Sequence, residues 1–252
     1  LDRVAADPTA RVVVLASAAE KAFAAGANIR EMASMTSAEA RVHGARGQEV
    51  TRRLERLPLP VVAAVHGVCL GGGCEIALAC DFVIASPEAT FGQPEINLGV
   101  TPGWGGSQRL PRRIGAARAR RWIYTGRTVP AEEARADGWV DRVVPRADLL
   151  PTAVEFAREL AGKPALALAA AKYEIQRAVD PDLDSDLAYE LELWARLFGT
   201  PDQREGMRAF LEKRTFVSRD RSDWPDTARG FPWGSAGENG GTGGSIGKRK
   251  RE

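Results

Sequence analysis

The sequence predicts a globular α/β protein, and three observations carry that reading. Arg11-Val12-Val13-Val14-Leu15-Ala16 and Val61-Val62-Ala63-Ala64-Val65 are apolar, β-branched runs of strand length, suited to strands buried on both faces. Helical periodicity fills the interval between them from about Ser37 to Arg56. Beyond Gly106 the pattern turns to helices, about 106–114, 116–125, 131–136, 148–161, 164–179, 185–198 and 202–213. Proline or an acidic cap stands near several of these starts. The expected organisation is an αβ core over 1–145, a helical region over 146–218 and a tail over 219–252.

Taken in order, Leu1–Pro8 reads as the last turns of an amphipathic helix halted at a proline, as though the chain begins within an element. After the first strand, Lys21-Ala22-Phe23-Ala24-Ala25-Gly26-Ala27-Asn28-Ile29 is a small-residue loop that lets amides approach a ligand or simply makes a tight turn. Ser37-Ala38-Glu39-Ala40 resembles a capped helix start, and Pro58 and Pro60 end that helix. Val61–Val65, a helix opening near Gly72 and Asp81–Ala85 form a strand–helix–strand unit suited to a right-handed crossover. Phe91 falls in the next short strand. From Asp226 to Gly247 the chain is glycine-rich and almost without aliphatic residues, which predicts disorder over 219–252. Its basic end, Lys248-Arg249-Lys250-Arg251, reads first as a solvated tail and second as a nucleic-acid patch.

Composition narrows the function classes. The 252 residues are 44% hydrophobic, enough for a substantial core, and 35 basic against 33 acidic residues leave a formal charge of +2. Nothing global draws this chain to nucleic acid or to an anionic membrane, so an anionic ligand must be met locally. Cys69, Cys74 and Cys80 are odd in number and lie in apolar sequence, which fits a reducing compartment. No apolar run reaches membrane-spanning length and no secretory signal opens the chain, so a cytoplasmic location is expected.

The chemistry concentrates in His66-Gly67-Val68-Cys69-Leu70-Gly71-Gly72-Gly73-Cys74-Glu75, which closes one strand and opens a helix. Consecutive glycines leave backbone N–H groups unshielded at the positive end of a helix dipole, ready for an oxyanion. Glu75 puts a carboxylate in that first turn, and Glu95 follows in Phe91-Gly92-Gln93-Pro94-Glu95. Two carboxylates beside an amide-lined pocket suggest proton transfer around a polarised carbonyl. Each also has an ordinary explanation, Glu75 through the helix dipole and Glu95 as a loop carboxylate or cap. His43 and His66 lack partners at ligand spacing, so no metal site is expected. Cys74 has no nearby histidine to activate it and reads as a packing residue.

Four motifs in order resemble the crotonase superfamily of enoyl-CoA hydratases and isomerases. They are Ala22–Ile29, Ala64–Asp81 with its three glycines, Phe91–Gly99, and Thr101-Pro102-Gly103-Trp104-Gly105-Gly106-Ser107-Gln108-Arg109-Leu110; the similarity runs from residue 1 to about 215. The resemblance implies a spiral of ββα units with a helical C-terminal oligomerisation region. It also implies an acyl-CoA thioester substrate and a homotrimer or dimer of trimers. No separate cofactor is implied, because CoA is part of the substrate, and no nucleic acid or membrane partner. The amides of Ala27 and Gly72 match the family's oxyanion hole, where one donor is worth roughly 3 kcal/mol in the transition state. Ala25, Gly26 and Gly71 match the substrate-binding loops around it. Glu75 and Glu95 match the two catalytic glutamates of the hydratases, which hold a water over the double bond of a trans-2-enoyl-CoA and yield a 3-hydroxyacyl-CoA. Gly103 matches the glycine that starts the helix over the site, and Trp104 either shapes the acyl pocket or packs against a helix. Phe210 and Lys213 match a terminal helix near the CoA or acyl tunnel, or read as a core aromatic and a solvated cation.

Retention of both acids favours hydration, with isomerisation second and a non-catalytic truncated scaffold third. Two departures stand out. Asn28 occupies the place of a usual aspartate, which keeps the shape and alters loop hydrogen bonding. Relatives also carry a strand pair and a helix before the position of Leu1, so the sequence leads one to expect an unpaired strand at the sheet edge.

Overall fold

The computed structural model describes residues 1–32, 35–177, 205, 209, 212–215 and 217. The strands are β1 (Val13–Ala16), β2 (Ala22–Ala24), β3 (Val61–Val65), β4 (Val68–Leu70), β5 (Phe82–Ala85), β6 (Thr90–Gly92), β7 (Val129–Pro130) and β8 (Arg142–Val143). The helices are α1 (Asp2–Ala6), α2 (Ile29–Met32), α3 (Ser37–Arg56), α4 (Gly72–Leu78), α5 (Gly106–Thr125), α6 (Ala131–Ala136), α7 (Leu149–Ala161) and α8 (Ala165–Arg177), with 3₁₀ turns at Pro94–Leu98 and Arg146–Asp148.

The chain winds between two sheets. One is ordered β1-β3-β5-β8 and the other β2-β4-β6-β7. Each circuit lays a strand in the first sheet, a strand in the second, and then helix: β1, β2 and α2–α3; β3, β4 and α4; β5, β6 and α5. All pairs are parallel except β6 with β7. This is the expected spiral of ββα units.

β3 explains why the sheets assemble around it. All five of its residues are buried: Val61, Ala63 and Val65 enter the large core with Cys69, Phe91 and Trp122, while Val62 and Ala64 face Leu149 and Ala153 of α7. A strand covered on both faces needs no polar alternation, hence its unbroken apolar sequence. α7, beyond residue 145, packs across β1, β3 and β5.

Three local expectations are corrected. Ala22–Ala24 and Val68–Leu70, read as loop and turn, are strands that pair with each other in the second sheet. Three-residue strands with one buried side chain are too short to display a period. The cap of α3 is Thr36 rather than Ser37: its side chain accepts from the Glu39 N–H and Glu39 reaches back to the Thr36 N–H, a complete capping box. The helices read at 106–114 and 116–125 are both present, meeting end to end at a break at Gly115, where φ is 77°, and together make up α5. The helix over the site starts at Gly106, not at Gly103. The helix read at 185–198, most of that at 202–213, Phe210 and the tail over 219–252 lie outside the described residues. Lys213 is exposed in a turn with φ of 52°, as a solvated cation rather than a helical residue.

Candidate functional site

The three glycines at the mouth of α4 are each demanded by a different neighbour. Gly71 has φ of 54° and ψ of −127°, a conformation that side chains exclude, and a Cβ there would stand 3.3 Å from Glu95 Oε1. A Cβ on Gly72 would strike the Trp104 ring at 2.5 Å, and one on Gly73 would strike the Ala24 carbonyl oxygen at 2.1 Å. The bare turn therefore lets β2, Trp104 and Glu95 close around the first turn of a helix.

The loop after β2 closes the other side. Gly26, with φ of 94°, places its open side 3.1 Å from the Gly72 nitrogen, so a side chain here would cover that amide. Among the described residues, neither the Ala27 nor the Gly72 N–H has an acceptor. Ala25 and Gly26 are exposed and Ala27 is half-buried, leaving the loop accessible. Asn28 Oδ1 accepts from the Arg30 N–H at 3.1 Å and Nδ2 donates to Glu31 at 2.9 Å. An aspartate would keep the first bond and lose the second, so Asn28 acts on the loop.

Glu75 is 1% exposed. Its Oε1 accepts from the Trp104 and Gly106 N–H groups, both at 2.7 Å, which ties α4 to the start of α5. Burial raises its pKa above the ordinary carboxylate value, against the lowering pull of those two amides and of Arg109. Arg109 is itself held by Glu55 in a bidentate pair, at 2.6 Å from Nε and 2.5 Å from Nη2.

Glu95 sits half-buried on the 3₁₀ turn Pro94–Leu98. Burial pushes its pKa up to about 7, its own backbone N–H pulls it down, and the Glu75 charge raises it further. Gln93, fully buried, faces it; assigned with its nitrogen toward the carboxylate, the amide donates at 3.0 Å to Oε1 and 3.2 Å to Oε2. Gln93 also abuts Gly106, where a Cβ would lie 2.8 Å from its amide. It thus connects the surroundings of the two acids. The sequence reading missed Gln93 and Arg109, since a lone glutamine at a strand end and one arginine among many carry no periodic signal.

The remaining sequence candidates separate cleanly. Gly103 is exposed with nothing within 4 Å of a would-be Cβ, and its carbonyl accepts from Gln48 Nε2 at 3.1 Å. The Trp104 ring lies between Gly47 of α3 and Gly72, so it packs on a helix and also borders the amide turn. His66 Nε2 lies 2.7 Å from the Ala19 carbonyl oxygen. Cys69, Cys74 and Cys80 are buried free thiols, and burial pushes Cys80 up to about 12 and the other two well above the ordinary value, as packing residues require. Among the described residues no group of His, Cys, Asp and Glu could hold a metal, and no helix is long and apolar enough to cross a membrane. A cavity of about 930 Å³ between α3, α5 and α8 is lined by Arg52, Arg109, Arg113, Lys172 and Ile175; neither acid lines it.

Fold and site together define a two-sheet ββα spiral whose amide-lined turn is flanked by two carboxylates with raised pKa values. The chain belongs to the enoyl-CoA hydratase/isomerase family, whose sequence model matches residues 1–221. It is 46% identical over 208 residues to the short-chain-enoyl-CoA hydratase of Clostridium acetobutylicum, covering 82% of this chain and 80% of that one. It is 43% identical over 215 residues to the crotonyl-CoA hydratase of Syntrophomonas wolfei, covering 84% and 83%. The crystal structure of enoyl-CoA hydratase from Bacillus anthracis superposes with a TM-score of 0.82 at 41% identity, over 86% of this chain and 84% of that one.

Proposed function

We propose that this chain hydrates trans-2-enoyl-CoA thioesters to 3-hydroxyacyl-CoA by syn addition of water. The observation that carries the reading is the convergence of Glu75 and Glu95 on the glycine turn, opposite two amides that lack acceptors among the described residues. The thioester oxygen takes the Ala27 and Gly72 N–H groups, which stabilise negative charge as it moves onto the carbonyl. Glu75, fixed by two backbone amides, holds the water and helps to deprotonate it as its oxygen bonds to Cβ. Glu95, whose pKa of about 7 leaves a protonated fraction at neutral pH, gives the proton to Cα. The sum is H on Cα and OH on Cβ, with both carboxyls returned to their starting states by exchange with solvent. No cofactor beyond the CoA of the substrate enters this scheme.

A homotrimer or dimer of trimers in the cytoplasm belongs to the same reading, and the three free thiols support a reducing setting. The test is loss of the enoyl-thioester absorbance of crotonyl-CoA with the wild-type chain, Glu75→Gln and Glu95→Gln. Each variant should lose about 10²–10⁴-fold in kcat, the usual worth of a positioned acid or base. Wild-type turnover that survives in both variants overturns the two-glutamate mechanism. Conversion of 3-enoyl-CoA without hydration assigns the chain to isomerisation instead.

A further inference from the structure

Trp104 is held more firmly than a pocket-lining side chain needs to be. Its N–H donates to Glu75 at 2.7 Å, and its carbonyl accepts from Thr51 Oγ1 at 3.0 Å and Arg109 Nη1 at 2.9 Å. Both polar groups of this one peptide position are thereby fixed. Its indole lies in a notch that only glycine permits: a Cβ at Gly47, in the middle of α3, would fall 2.2 Å from Cδ1 and Nε1. A mid-helix glycine costs roughly 0.5–1 kcal/mol relative to alanine, so the notch has a local cost that seating the ring offsets. The other edge of the ring stands over Gly72, where a Cβ would meet Cζ3 at 2.5 Å. His43 backs the indole, ring centroids 5.8 Å apart.

This placement bears on the acyl chain. A thioester oxygen on the Ala27 and Gly72 amides, with Cβ between the acids, leaves the carbons beyond Cβ to run beside Trp104. That residue gives its N–H to one acid and its ring to the oxyanion turn. We propose that the Trp104 indole, seated in the Gly47 notch, closes the acyl pocket and restricts this chain to short enoyl thioesters; the inference rests on the hydratase reading. A backbone clamped at N–H and carbonyl, and a ring wedged between two helices, cannot swing aside for a longer chain as a loosely held side chain does.

The experiment measures kcat/KM for trans-2-enoyl-CoA of four to ten carbons with the wild type, Trp104→Ala, Trp104→Leu and Gly47→Ala. Calorimetric affinities for butyryl-CoA and decanoyl-CoA accompany the kinetics. The wild type should favour four carbons over ten by about 10-fold or more, since each unaccommodated methylene forfeits a factor of that order or less. Trp104→Ala and Trp104→Leu should each raise the ten-to-four ratio at least about 10-fold, in turnover and in affinity alike. Gly47→Ala, which displaces the ring, should change the same ratio. A wild type that takes ten carbons as readily as four, or Trp104 variants whose ratio stays put, overturns the proposal. If nothing turns over, the hydratase reading fails, and the ratio of the two affinities alone decides the role of Trp104.

Discussion

Glu75 lies in the buried first turn of α4, with two backbone N–H groups on one oxygen, whereas Glu95 lies on a half-open 3₁₀ turn and meets a side-chain amide. Both pKa values are raised by burial, yet the consequences differ. At Glu75 the peptide dipoles recover part of the lost hydration and favour the ionised form. At Glu95 only its own N–H and the Gln93 side-chain amide oppose burial, and the neighbouring charge of Glu75 adds to it. One residue type thus supplies a fixed carboxylate in one place and a carboxyl that titrates near neutrality in the other. Backbone donors, more than depth, set the difference.

The sharpest way to break this contrast is to remove the acceptor at the buried end. Glu75→Ala leaves the Trp104 and Gly106 N–H groups without their partner and should destabilise the fold by about 2–4 kcal/mol. Glu75→Gln keeps an acceptor oxygen and should cost less than about 1 kcal/mol. Urea unfolding at pH 7 compares them, and equal losses would mean that the amides are not what holds Glu75. Gly71→Ala attacks the geometry that brings the two ends together. It forces a side chain into the left-handed region beside Glu95 and should cost about 1–3 kcal/mol, with kcat falling alongside.

The open end is tested by pH. With Glu75 ionised and Glu95 protonated in the active form, kcat/KM should fall on an alkaline limb centred near 7, a value that belongs to the coupled pair. Glu95→Gln should abolish that limb. The same group links to stability with a definite sign. Its folded pKa lies above the unfolded one, so its stabilising contribution is complete below the unfolded value and is lost as pH rises through about 7. Glu95→Gln should therefore stabilise the protein by up to about 3 kcal/mol at pH 8, with a gain that vanishes below about pH 4–5. Thermal melts across that range check it, and a gain that grows toward acid pH would reverse the assignment. The smallest effect is expected at Asn28→Asp, within about 0.5 kcal/mol, because the bond to Arg30 survives.

Much of this was legible in the chain. β3 and α3 announce themselves, one by an unbroken apolar run and the other by periodicity ended at prolines, because each signal is local and repeated. Gly71, Gly72, Gly73, Glu75 and Glu95 were legible as a motif, since a bare helix start with an acid in its first turn needs those residue types in that order. β2, β4, β7 and β8 were not, being two or three residues long and defined by their partners in the sheet. Nor could the sequence tell whether Trp104 packs or lines a site. That was decided by Gly47, fifty-seven positions away, whose missing side chain makes the notch. Gln93 and Arg109 likewise acquire their positions beside the acids only when β6 and α5 are brought against α4. Local chemistry is written in the sequence wherever one segment satisfies its own demands. Distances between side chains from different segments, and the pKa values that depend on them, exist only once burial has removed the water between them.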